Sequence, residues 1–208
     1  MKSEIKNSLK WALPLAVITL VLAAIFSIIA TAVLSRVGVI GGITVILAII
    51  LIALFFDIVG VAATASSETP FHSMASKGLS GAKYAVWLTK NADRVNTFCT
   101  DVIGDINAIL SGTAVSVVVT EMVILLSDTN KKLNEYVISV VLTCIVAALT
   151  VFVKALGKTF AINNATKIIY NAGYVIYFAE NHLHIPIMSF MNNKKHGRAR
   201  KRKDKKGV

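Results

Sequence analysis

Four long apolar stretches, at residues 11–34, 39–65, 98–126 and 136–156, constrain this chain more than any other feature in it. A helix needs about 20 apolar residues to cross the hydrocarbon of a bilayer, and each stretch has them. The chain is 55% hydrophobic and only 16% charged, too apolar for an ordinary soluble domain of 208 residues. The expectation is an all-α integral membrane protein. It has about four transmembrane helices and, between and after them, short amphipathic helices on the cytoplasmic side.

The first stretch follows Lys2, Lys6 and Lys10 and contains Ala30-Thr31-Ala32, features shared with secretory signals. Its apolar run exceeds the roughly 7–15 residues of a signal core and further spans follow, so it is read as a retained anchor. The positive charge orients the whole. With residues 1–10 in the cytoplasm, the inner side receives Lys77, Lys83, Lys90, Arg94 and everything after the fourth span, while the outer side keeps Arg36, Lys131 and Lys132. That is the positive-inside pattern, and it places both termini in the cytoplasm and the chain in the cell membrane as a multi-pass protein. Cys99 and Cys144 fall within spans, where thiols usually pack as small apolar groups.

Acids inside the apolar stretches mark the place to look for function. A charge near the middle of a bilayer costs roughly 2.5–3.5 kcal/mol on insertion scales, so such groups are expected to face each other, water or a cation. Asp57 lies in the second span, ahead of the small residues Gly60, Ala62, Ala63 and Ala65, which admit a close neighbour. A polar hinge follows, Ser66-Ser67-Glu68-Thr69-Pro70, in which Pro70 removes a backbone donor and interrupts the helix. The third span is the most polar, with Asp101, Asp105, Asn107, Ser111, Thr113, Ser116, Thr120 and Glu121. Asp101 and Asp105 share a face, being four apart. Glu121 is read as reaching the outer interface.

Between hinge and third span, residues 71–96 carry apolar positions at near-helical spacing, broken by Gly78 and Gly81, which predicts two short interfacial helices. The fourth span is aliphatic until Lys154, which either snorkels to the inner surface or pairs with a buried acid. Residues 159–190 are semi-apolar and contain Tyr170, Tyr174 and Tyr177, predicting an interfacial helix. Glu180, His182 and His184 make a polar turn there rather than a metal site. The tail at 194–208 is basic and expected to be disordered and to rest on anionic lipid; nucleic acid is not its expected partner.

The order of these features resembles the transmembrane domain of the CNNM/CorB/CorC family. The resemblance rests on Ser67-Glu68-Thr69 after an apolar helix, then Asn91-Ala92-Asp93-Arg94, Ile103-Gly104 and Ile109-Leu110-Ser111-Gly112, followed by residues 153–158 at the family's Gly-Glu-x-x-Pro-Lys element. There Lys158 matches, while Lys154 and Gly157 replace the glutamate and proline. The resemblance covers a unit at 39–175, with 11–34 as an extra helix, 176–193 as a juxtamembrane segment and no room after it for the family's CBS pair.

What the resemblance implies is a homodimeric transporter of divalent cations, associated with magnesium and cobalt, built around a broken helix. Magnesium takes hard oxygen ligands in octahedral geometry, and Ser66, Ser67, Glu68, Asp101, Asp105 and Asn107 are the oxygen and amide donors expected to hold Mg2+. Asp57 and Lys154 are expected on the ion path or as charge partners. Regulation would come from a separate partner. The alternative is a non-transporting scaffold or accessory subunit in which the Lys154 ammonium neutralises the acids. No Ser/His/Asp order, zinc spacing or glycine-rich phosphate loop points to an enzyme.

Overall fold

The computed structural model describes residues 2–34, 36–126 and 131–183, and every regular element among them is helical. In order they are α1 (Lys2–Leu34), α2 (Val39–Ala65), α3 (Thr69–Ser76), α4 (Ala82–Lys90), α5 (Ala92–Asn96), a π-helical segment (Thr97–Val102), α6 (Ile103–Leu126), α7 (Lys131–Asn163) and α8 (Ala165–Leu183). Four helical stretches are long and apolar enough to cross a membrane: Ala12–Leu34, Val39–Ala65, Ala92–Leu125 and Glu135–Asn163. The expected tail at 194–208 and His184 lie outside the described residues.

The bundle is built round α2, which packs against α6, α7, α5, the π segment and α8. Its sequence explains the division of the core. Toward its start, Ile46 and Ile50 interlock with Ala114, Val115, Val118 and Val119 of α6, and with Leu34. Ile49 continues the seam with Val102, Ile106 and Leu110. Toward its end the side chains shrink to Ala62 and Ala63, and the space they leave is filled by Phe71, Leu88 and Ile169 from the short helices. Outward faces of the long helices carry exposed Leu, Ile, Val and Phe, among them Leu20, Ile28, Leu51 and Phe152, as a hydrocarbon solvent would reward.

The third span begins earlier than hydropathy predicts. Asp93, Arg94 and Asn96 interrupt the apolar reading, yet the helix that starts after Asn91 runs through them and through a π-helical turn before reaching Ile103. The hinge also differs in detail: only Ser66, Ser67 and Glu68 stand outside helices, and Pro70 sits in the first turn of α3, where its missing N–H costs no hydrogen bond.

A helical hairpin closes the end of the bundle that carries α3, α4 and α8. Here α4 crosses α8 at glycine against glycine: a Cβ at Gly173 would stand 2.7 Å from the Gly81 carbonyl oxygen and 2.8 Å from the Ala85 nitrogen. Gly81 itself has φ +83°, a left-handed conformation that L side chains resist. The contact is locked by the Tyr84 hydroxyl, which donates to the Glu180 carboxylate. Burial first, and then that bond, pushes the Tyr84 pKa up to about 12.

Candidate functional site

Asp57 is the most buried polar residue of the chain's described part, 2% exposed. Among the described residues neither carboxylate oxygen has a hydrogen-bond partner. It lies eight residues before Ala65, about 12 Å along the helix axis at ~1.5 Å per residue, well inside a candidate span. Taking an isolated carboxylate out of water costs far more than a typical interaction returns, so the group calls for a cation or a proton.

What stands beside it is the π-helical turn. Gly60, one helical turn on from Asp57 and on the same face, brings α2 against that turn: a Cβ at position 60 would meet Thr100 Oγ1 at 3.0 Å, Cys99 Cβ at 3.1 Å and Asn96 Oδ1 at 3.2 Å. Thr100 Oγ1 donates to Asn96 Oδ1 at 3.2 Å, four residues back across the turn. The Cys99 thiol is within electrostatic reach of the Asp57 carboxylate. A π turn inserts an extra residue in the helical ladder and recurs at functional sites; here it widens the third span where α2 is narrowest. The result is a buried carboxylate, a hydroxyl, an amide oxygen and a thiol gathered at one helix crossing, inside apolar surroundings.

The other residues singled out from sequence are distributed differently. Asn107 Nδ2 donates to the Ile49 carbonyl at 2.8 Å, tying α6 to α2 more than two turns from Asp57. Asp101 and Asp105 are exposed on the third span. Lys154 of α7 approaches the same turn of helix: its Nζ lies 3.8 Å from where a Gly104 Cβ would be. In the hinge, Glu68 faces His72 at 3.5 Å with its side chain 44% exposed, and Ser67 Oγ pairs with Thr69. Ser66 Oγ is buried without a partner, a second orphaned polar atom at the end of α2. Thus the structure gathers Asp57 with Asn96, Cys99 and Thr100, keeps Glu68 in the hinge, and carries Asp101, Asp105 and Asn107 within two turns of the third span. Among the described residues no three His, Cys, Asp or Glu side chains are grouped to hold a metal ion.

Comparison with known proteins returns no matching family model, no matching curated protein and no matching solved structure. The functional reading therefore rests on the site.

Gly60, Asn96, Cys99 and Thr100 left a faint signal in the sequence. Asp57 and Gly60 are one turn apart on α2, and Asn96 and Thr100 one turn apart on the third span. Only the register between the two helices joins the pairs.

Proposed function

We propose that the protein is a multi-pass membrane protein that takes up a cation at Asp57 and passes it through the bundle. The observation that carries this is the buried carboxylate with both oxygens unpartnered, set against a π turn bearing oxygen groups. Intramembrane acids facing a bundle interior characteristically mark ion or proton paths. Under the positive-inside pattern the α3, α4 and α8 end faces the cytoplasm in the cell membrane.

The finer reading is a CNNM/CorB/CorC-like homodimer whose cargo is a divalent cation, magnesium first. It is supported by the order of sequence motifs and by the oxygen chemistry of the donors. One carboxylate with neutral oxygens matches one positive charge; a divalent cargo needs a second acid, from Glu68, Asp101 or Asp105 after rearrangement or from a second copy. In the second reading, a non-transporting accessory subunit, Lys154 neutralises Asp101 and Asp105; the closeness of its Nζ to Gly104, between those two acids, favours it.

Reconstituted vesicles separate these readings. Flux of Mg2+, Na+ and protons is followed for wild type, Asp57→Asn, Glu68→Gln and Asp105→Asn. Loss of flux in Asp57→Asn, with the protein still folded, supports the Asp57 path, and loss in either other variant adds that acid to it. Wild-type flux in Asp57→Asn removes the proposal, and an absence of flux in wild type favours the accessory reading.

A further inference from the structure

Beside the Asp57 site, but on the outer surface of the bundle, a groove of about 630 Å³ runs between α2, the start of the third span and α8. Phe56, Val59, Phe98, Ala172 and Val175 are among the apolar residues that line it. Among the described residues Arg94 is its one charged lining residue. The volume is that of a site for a sizeable organic molecule, within the roughly 300–1,000 Å³ of such pockets. Its chemistry is that of an amphiphile, apolar along its length and cationic at one end.

We propose that this groove binds an anionic glycerophospholipid, with one acyl chain along the apolar walls and the phosphate at Arg94. Three observations select this occupant. First, depth: Phe56 lies nine residues before Ala65, about 14 Å along α2 at ~1.5 Å per residue. That is close to the roughly 15 Å half-thickness of the hydrocarbon, so the groove spans one leaflet.

Second, polarity runs the right way. The crossing of Gly60 with Asn96 and Thr100 fixes the level of the third span, so Arg94, two residues before Asn96, stands toward the end of α2 where headgroups would lie. Arg94 is exposed, and among the described residues its guanidinium forms no ion pair or hydrogen bond, which leaves its planar fork of donors for a phosphate. Third, cations outnumber acids around this end: Lys77, Lys83, Lys90 and Lys167 are exposed there beside Arg94, against Glu68, Asp93 and Glu180, and basic pockets beside spans on the cytoplasmic side suit anionic headgroups. The inference stands on the membrane reading and not on what Asp57 carries.

The test is native mass spectrometry of the detergent-solubilised full chain titrated with phosphatidylglycerol and, separately, phosphatidylcholine. Wild type should hold phosphatidylglycerol at least about tenfold more tightly, the scale of a charge-assisted hydrogen bond. Arg94→Gln should erase that preference, whereas Lys77→Gln, on the same end but outside the groove, should keep it. Ala172→Trp, which puts a large side chain into the groove, should weaken both lipids. Equal affinity for the two lipids in wild type overturns the proposal, as does an Arg94→Gln variant that keeps the preference. So does an Ala172→Trp variant that breaks a dimer while lipid binding stays unchanged, since the groove would then be a subunit interface. Arg94 is on the surface, so folding of its variant is not at stake; unchanged thermal stability confirms it.

Discussion

Replacing Gly173 with alanine adds one methyl group where two helix backbones touch. The new carbon would lie 2.7 Å from the Gly81 carbonyl oxygen and 2.8 Å from the Ala85 nitrogen. Both are backbone atoms, so no side chain can rotate away and α8 must move as a body. Overpacking of that kind costs typically 1–3 kcal/mol. Alanine inside α8 returns about 1 kcal/mol of helix propensity, leaving a net loss of up to ~2 kcal/mol; for a chain of this size ~1 kcal/mol corresponds to about 2–4 °C in melting temperature, so the variant should melt up to roughly 8 °C lower. Because α8 carries Glu180, the displacement also strains its bond with Tyr84.

Gly112 provides the control. It lies within α6 and nothing stands within 4 Å of a Cβ built there. Alanine at that position gains helix propensity, about 1 kcal/mol relative to glycine, and should melt at or slightly above wild type. The assay is thermal unfolding of both variants in one detergent and a Cys144→Ser background, since Cys144 is exposed, followed by a thiol-reactive fluorophore on Cys99, which is buried and reacts only on opening. An unshifted Gly173→Ala alongside a destabilised Gly112→Ala would show that the α4–α8 crossing has been read wrongly.

Further expectations follow from the same contacts. A tyrosine in an unfolded chain loses its proton near 10, whereas Tyr84 holds its proton up to about 12; the folded state therefore binds more protons in that window, and stability should fall as pH rises from about 10 to about 12. Tyr84→Phe should remove that slope in unfolding curves taken across the window, and tyrosinate absorbance should lose its last-titrating component; an unchanged slope would refute the assignment. Asn107→Leu deletes the interhelical bond to the Ile49 carbonyl and should cost about 0.6–1.7 kcal/mol, the range for such bonds in membranes, read as a lower detergent melting temperature; no loss would mean that Ile49 keeps its own helical partner at full strength. In Asp57→Asn, flux in vesicles should disappear although the fold remains.

The four spans were legible because hydropathy over some 20 residues is a bulk property that local chemistry does little to alter. The amphipathic character of α4 and α8 was legible for the related reason that periodicity survives short interruptions. Asn91, Asp93, Arg94 and Asn96 concealed the first turns of the third span, since a helix end in a headgroup region tolerates polar residues that a window average reads as loop. The π turn had no sequence signature. It adds a residue to the turn, and so alters which way Asp101 and Asp105 face relative to α2, a direction their four-residue spacing does not encode. Asp57 stood out in sequence as an acid among Leu, Ile and Phe; its neighbours Asn96 and Thr100 did not, because their closeness depends on Gly60 setting the distance between helices. The backbone acceptor at Ile49 has no residue-type signal at all.

The most direct measurement is a thermal-shift titration of detergent-solubilised wild type and Asp57→Asn against Mg2+ and Na+ at fixed pH. An uncompensated buried charge weakens its fold, and relieving a buried ionic group is often worth about 1–4 kcal/mol, so the variant should melt higher than cation-free wild type. A ligand that binds only the folded state raises its stability with concentration; wild type should therefore rise toward the variant as the preferred cation saturates Asp57, and the variant should not respond to that cation. Equal responses in both proteins, or a variant that melts lower under every condition, would contradict the claim that Asp57 holds the cation.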